Sequence, residues 1–264
     1  MLPTGQIISA TAAPGAQYQR LATGLRPDGN ADADSAMTSV LSPDGTTLLV
    51  LTSGFNTAIN YQAKNGAPIL FPVLSPVTGK PSMFRNPVTG QMASGYNQAE
   101  FVFVYDVSSG RPVKTQQIPI PDTFVGLAWD PAGSRFYVSG GIDDRILIFK
   151  ASGSPVQYVP DAPFIVLNHN SNDTLPIPSY NGGILANTIA GKAVPALVTG
   201  AVVAGFALSA DGKTLVAANW HNESASIVDT GSRAVLSEVV FTPPGSLTPI
   251  GEFPYGVAVK SDPK

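Results

Sequence analysis

The sequence specifies an all-β fold: a partial β-propeller of three four-stranded blades plus the first strand of a fourth, with two long loop insertions. One observation is a repeated hairpin. LSPDGTTLLVL at 41–51 returns as WDPAGSRFYVS at 129–139 and as LSADGKTLVAA at 208–218. Each copy joins an apolar strand to a second strand of large apolar residues through an Asp/Gly turn. Asp bonds its own backbone there and Gly accepts positive φ, which a short hairpin requires. A second observation is that every hairpin is followed by another strand pair, giving the four antiparallel strands of a propeller blade. The third is the period. Without the insertions each unit covers about 40 to 44 residues, the spacing of blade repeats. A β-sandwich also shows short strands at even spacing, but it gives no reason for one four-strand unit to recur.

The elements follow in order. Residues 1–36 are assigned to a loop and to strands of a closing blade, with 6–10 and 17–21 as its outer strands. The first blade runs from about Met37 to Pro121; its third strand is FVFVYD at 101–106, and its fourth runs from Pro112 to Ile120. The second runs from Phe124 to Leu167, with a third strand at 145–149 and a fourth from Pro155 to Leu167. The third runs from Val203 to Phe241, with a third strand at 225–229 and a fourth from Arg233. YGVAVKSD at 255–262 then matches AGFALSAD at 204–211 position for position, which opens a fourth blade. The whole of 1–264 is thus expected to be a single incomplete propeller domain, the N-terminal part of a longer protein. Closure by oligomerisation is the alternative, although symmetric closure wants whole repeats. An incomplete ring is also expected to self-associate through its unpaired edge and uncovered apolar flank.

Composition agrees with this fold. Pro and Gly, 24 and 26 residues, supply about a fifth of the chain, as turn-dense folds require. Only 12% of residues are charged and there is no cysteine, so disulfides and thiolate chemistry are excluded. A net charge of −3 gives no footprint for nucleic acid. No run approaches the ~18 apolar residues of a membrane span, and the first residues lack the basic start and apolar core of a signal peptide.

Strand alternation also sets the faces. The turn joining a blade's first and second strands and that joining its third and fourth share one rim. The turn between the second and third strands and the connection to the next blade share the other. The insertions, 57–99 and 168–202, belong to the latter kinds, so both are expected on one rim. Loops longer than about 12 to 15 residues are usually functional or disordered. The first insertion carries Pro-Val-Thr-Gly at 76–79 and 87–90 and reads as an added hairpin or an Ω-loop; 183–198 is the best candidate for a helix.

The segments LLVLTSGFN at 48–56, FVFVYD at 101–106, FYVSGGIDD at 136–144 and ANWHNESASIVD at 218–229 resemble the YVTN-type repeats of bacterial lactonase-like propellers. The closer resemblance is to exported two-part proteins in which such a propeller precedes an alkaline-phosphatase-like phosphoesterase domain. That resemblance implies a periplasmic or secreted protein whose catalytic residues lie beyond Lys264, so none is carried onto this chain.

The candidate binding residues are Asp143, Asp144, Arg145, Asn219, Trp220 and His221, all in turns on the insertion rim. Exposed aromatic and charged groups on loops of a rigid scaffold are a common way to build recognition. Alanine at Asp144 and His221 is expected to weaken binding with little loss of stability, as at exposed positions. The opposite rim, with Asp44, Gly45, Gly110, Gly133, Asp211 and Gly212, is expected to leave little room for a site. His169 and His221 are the only histidines and could form a dyad only if their loops met. Asp28, Asn30, Asp32 and Asp34 alternate like calcium ligands, but Ala33 stands where a calcium loop needs Gly and Ser39 where it needs Glu, so a solvated turn is expected. No catalytic constellation, metal site or cofactor is implied. Two functions remain: a non-catalytic module for a ligand, a protein partner or a downstream domain of the same polypeptide, and a lactonase-like hydrolase at the channel mouth. A hydrolase needs converging His, Arg and carboxylates.

Overall fold

Each blade is laid down by alternation along its strands. The computed structural model describes residues 19–23, 33, 35–58, 61–64, 67–70, 83–85, 92–94, 98–120, 123–141, 144–167, 169, 188–189, 192–193, 202–220, 223–241 and 254–260. Blade 1 begins with β1 (Ala36–Leu41) and β2 (Thr47–Ala58). The first insertion contributes two hairpins, β3 (Tyr61–Lys64) with β4 (Ala67–Leu70) and β5 (Met83–Arg85) with β6 (Met92–Ser94). The chain returns as β7 (Gln98–Asp106) and β8 (Val113–Pro119), giving an antiparallel sheet in the order β1-β2-β7-β8. The hairpin reading of that insertion is met twice, and the second hairpin brackets the Pro-Val-Thr-Gly at 87–90.

Blade 2 is built from β9 (Leu127–Trp129), β10 (Arg135–Ser139), β11 (Arg145–Ser152), β12 (Gln157–Pro160) and β13 (Ile165–Val166). One continuous fourth strand was expected from Pro155 to Leu167; instead β12 pairs with the far half of β11 and β13 with its near half. Pro160 and Pro163 cannot donate to a ladder, and between them the chain turns Asp161 toward three cations. The second insertion contains β14 (Thr188–Ile189) and β15 (Lys192–Ala193), an antiparallel pair inside 183–198, the stretch that was the best candidate for a helix. The β-branched Thr188 and Ile189 disfavour helix. Blade 3 is β16 (Val203–Leu208), β17 (Thr214–Asn219), β18 (Ser224–Asp229) and β19 (Ala234–Val240), again in sequential order. The chain is therefore an all-β partial propeller.

The period of two divides side chains between neighbouring gaps. Val102 and Val104 of β7 enter the space between blades 1 and 2, where they join Leu49, Trp129, Phe136 and Phe149. Trp129, Phe136 and Tyr158 meet edge to face at centroid distances of 5.3 to 5.5 Å, a favourable aromatic arrangement. The alternate residues of β7, Phe101, Phe103 and Tyr105, turn to the outer flank of blade 1 and pack with Ala33 and Leu21. Blade 2 divides likewise, sending Tyr137, Ile146 and Ile148 toward Leu215, Ala217 and Val228 of blade 3.

The inner strands also bond across blades. Thr38 donates to the Val125 carbonyl at 2.7 Å, and the Val125 and Gly126 amides donate to the Ala204 carbonyl at 3.1 and 2.9 Å. The segment expected to open a fourth blade lies against β16. The Tyr255 carbonyl lies 2.6 Å from where a Cβ on Gly205 would stand, so only glycine admits it. Tyr255 belongs to the described stretch 254–260, which forms no sheet with the described residues.

Residues 19–23 run beside β8: Gln19 donates to the Pro112 carbonyl at 3.2 Å and Lys114 to the Ala22 carbonyl at 2.5 Å. The expectation of an outer strand of a closing blade over 17–21 differs from this: the described part, 19–21, forms no strand and lies at the outer edge of blade 1. The other expected strand, 6–10, and the alternating Asp28, Asn30, Asp32 and Asp34 lie outside the described residues. Ala33 is buried on blade 1.

Candidate functional site

The second-to-third-strand turn of blade 2 is the starting point. Gly140 donates to the Arg145 carbonyl at 2.9 Å, and the turn is tight enough that Gly141 and Asp144 take positive φ, 49° and 52°. Asp lends itself to this conformation because its short side chain bonds locally. The turn is tied to blade 3 by an antiparallel bridge between Gly141 and Val203, with Val203 donating to the Gly141 carbonyl at 3.1 Å.

Asp144 is buried, with 2% of its surface exposed, and it anchors His169 at the head of the second insertion. Its Oδ2 accepts the His169 amide at 2.7 Å, and its Oδ1 lies 2.7 Å from His169 Nδ1. The other ring nitrogen, Nε2, lies 2.9 Å from Oε1 of Glu238 on β19. Ionised carboxylates only accept, so the two contacts favour the charged form of His169, in which both ring nitrogens carry protons; Asn219 Nδ2 also approaches Nε2, at 3.4 Å. Burial opposes that charge, but the hydrogen bonds and field of Asp144 and Glu238 outweigh it and raise the pKa above 6.5. One histidine thus joins blade 2 to the outer strand of blade 3.

Asn219, at the end of β17, is fully buried beside it. Its Nδ2 donates to Ser224 at 3.0 Å and Ser226 at 2.8 Å, while its Oδ1 has no partner among the described residues. A buried unpaired amide oxygen costs about 1–3 kcal/mol, so this acceptor calls for a donor. Trp220 follows, its amide bonded to the Val202 carbonyl at 2.8 Å and its indole 5.7 Å from the Phe124 ring. Phe124 comes from the connection between blades 1 and 2. Two connections and two turns therefore converge on one rim around Asp144, His169, Asn219 and Trp220.

Of the residues singled out by sequence, Asp144, Asn219 and Trp220 are brought together; Arg145 opens β11 on the same turn. Asp143 and His221 lie outside the described residues. The expectation that Asp144 is an exposed residue of little structural weight is corrected: it is buried and holds His169. His169, expected to be a loop residue, is the hub of the cluster. Its position was visible in the sequence, but only the folded chain brings Glu238, 69 residues away, to its ring.

A second regularity also escaped the sequence reading. Glu100, Asp144 and Glu223 stand one position before the third-strand core of their blades, and all three are buried. Their carbonyls accept the amides of Ile120, Leu167 and Phe241, closing the fourth strand onto the third. The acid at a constant offset in each repeat was the signal that could have found them.

No protein-family model matches the chain, and no curated protein matches it in sequence. Solved propellers resemble it in fold at low identity. The WD40 repeats of RRP9 align over 84% of this chain and 43% of theirs, at 12% identity and a TM-score of 0.38. The periplasmic gluconolactonase PpgL of Pseudomonas aeruginosa aligns over 80% and 58%, at 17% and 0.39. A putative 6-phosphogluconolactonase from Bacteroides uniformis aligns over 84% and 60%, at 16% and 0.36. The chain spans less than two thirds of the length of each. By its sheets and their order the chain is a β-propeller, and no helix among the described residues is long and apolar enough to cross a membrane.

Proposed function

We propose that this chain is a non-catalytic binding module whose insertion-bearing rim docks a partner, the partner being a downstream phosphoesterase-type domain of the same exported polypeptide. The observation that carries this reading is the state of His169. Both ring nitrogens face carboxylates and the ring is buried, so the imidazole is occupied in joining blades rather than turned to a substrate. A lactonase-like hydrolase needs a free base at its site. What remains on the rim is recognition chemistry: the Trp220 and Phe124 rings, and Asp143, Arg145 and His221 as candidate contacts.

The resemblance of the repeats to those of two-part exported proteins supplies the partner. The test begins with the reading frame beyond Lys264. A phosphoesterase-type domain there, whose presence slows amide exchange at 140–145, 202–203 and 219–220 relative to 1–264 alone, supports the module. A closing propeller followed by a stop codon overturns it, as does lactone hydrolysis by the full chain that is lost in His169→Gln.

A further inference from the structure

The rim that carries the short turns was expected to leave little room for a ligand, yet it contains a cleft of about 590 Å³ between blades 1 and 2. Ligand sites commonly measure about 300–1,000 Å³. The cleft opens where the outer strands β8 and β12 diverge. Its base is fixed by Gln116, whose side chain imitates a strand: Nε2 donates to the Tyr158 carbonyl at 2.8 Å and Oε1 accepts the Tyr158 amide at 2.7 Å.

We infer that this cleft binds a neutral saccharide of one or two rings. Its polar lining is rich in acceptors. Asp106 gives Oδ1 to Ser108, accepting the amide at 2.9 Å and the hydroxyl at 2.6 Å, while Oδ2 has no partner among the described residues. Those bonds also favour the charged carboxylate, lowering its pKa. Gln157 uses its amide nitrogen on the Val156 carbonyl at 3.0 Å, leaving its oxygen to accept, and the hydroxyl of Thr115 adds lone pairs. No Lys or Arg lines the cleft, so an anion finds no counter-charge. The other wall, Val104, Pro155, Val156 and Tyr158, is apolar. Hydroxyls that donate toward Asp106 while a C–H face lies on the exposed Pro155 and Val156 describe a sugar ring. This site is independent of the partner-docking rim and does not rest on that reading.

The experiment is saturation-transfer NMR and calorimetry on the 264-residue chain with methyl glucosides, maltose and cellobiose, and with spermidine as the cationic competitor. At least one sugar is expected to bind saturably with a Kd below about 10 mM, the weak regime of a small polar ligand. Asp106→Asn is expected to weaken it about tenfold or more, the worth of a hydrogen bond to a charged group. Asp106 also shapes its turn, so Gln157→Ala and Thr115→Val serve as variants that leave the turn intact and are each expected to weaken binding. Trp220→Ala, on the other rim, is expected to leave it unchanged. No saturable binding by any sugar, binding indifferent to all three cleft variants, or binding of spermidine alone overturns the proposal.

Discussion

Asp161 and His169 show what one buried charge does when two blades share it. Asp161 accepts Arg135 Nε at 3.0 Å, Lys150 at 2.9 Å and Arg233 at 2.6 Å; Arg233 belongs to the third-to-fourth-strand turn of blade 3. Burial pushes this carboxyl up, but hydrogen bonds from Lys150, Arg233 and Arg135 prevail and hold it at about 2. A depressed acid stabilises the fold above its unfolded value of about 3.8 and loses that contribution as pH falls toward about 2. Asp161→Asn is expected to cost about 1–3 kcal/mol at neutral pH, discounted because Arg135 and Lys150 are half exposed, and to flatten the acid limb of a melting curve below pH 4. His169 has the opposite sign. Its pKa is raised, so its contribution is complete below about 6.5 and is lost as pH climbs through the folded value. His169→Gln is therefore expected to lower Tm by the largest amount near pH 6 and by a shrinking amount in alkali. A difference independent of pH would mean that the imidazole is not charged.

At the scale of the strand and turn, the repeated hairpins share a mechanism with interchangeable parts. In blade 1, Ser42 donates to Asp44 and accepts the Thr47 amide at 2.9 Å; in blade 3, Ser209 and Asp211 do the same for Thr214. In blade 2 there is no such Ser, and Asp130 accepts the Ser134 and Arg135 amides directly. Local chemistry of this kind is legible in sequence because it involves residues within five positions of each other. The break in the fourth strand of blade 2 could have been suspected from Pro160 and Pro163, but the Arg233 that anchors it and the Glu238 that completes the His169 hub lie about 70 residues away and were not legible. Which sugar-facing groups would line a cleft was equally hidden, since it depends on how two outer strands diverge. The turns also touch around the rim. A Cβ on Gly212, at φ 71°, would stand 2.6 Å from Pro131 Cδ in the neighbouring turn. Gly212→Ala is expected to destabilise by about 1–3 kcal/mol through the strained backbone, and more where Pro131 cannot retreat. Urea denaturation measures it, and the double variant with Pro131→Ala should recover only the steric part.

Across the whole molecule, stability comes from the gaps between blades rather than from any one sheet. The first two gaps are filled, by Trp129, Phe136 and Phe149 in one and by Ile146, Ile165, Phe206 and Leu215 in the other. The outer strand of blade 3 is different. On β19 and just after it, Leu236, Val239, Val240 and Phe241 are all exposed, Leu236 at 63%, and among the described residues the strand pairs only with β18. Such an edge offers unpaired amides and carbonyls together with apolar side chains, the combination that templates association. The single carboxylate on this strand, Glu238, points to His169 and so does little to repel another chain. Edges are commonly protected by a charge facing outward, and none of the exposed apolar positions supplies one. Leu236→Lys should therefore reduce self-association of the purified chain in light scattering while leaving its melting temperature nearly unchanged, since an exposed substitution shifts stability by about 0.5 kcal/mol or less. The contrast with Leu215→Ala, in the filled gap, separates edge from core. That variant should lose about 2–5 kcal/mol and aggregate more, because it opens a cavity where blades 2 and 3 meet. A chain that stays monomeric at all concentrations before any substitution would remove β19 as an adhesive edge.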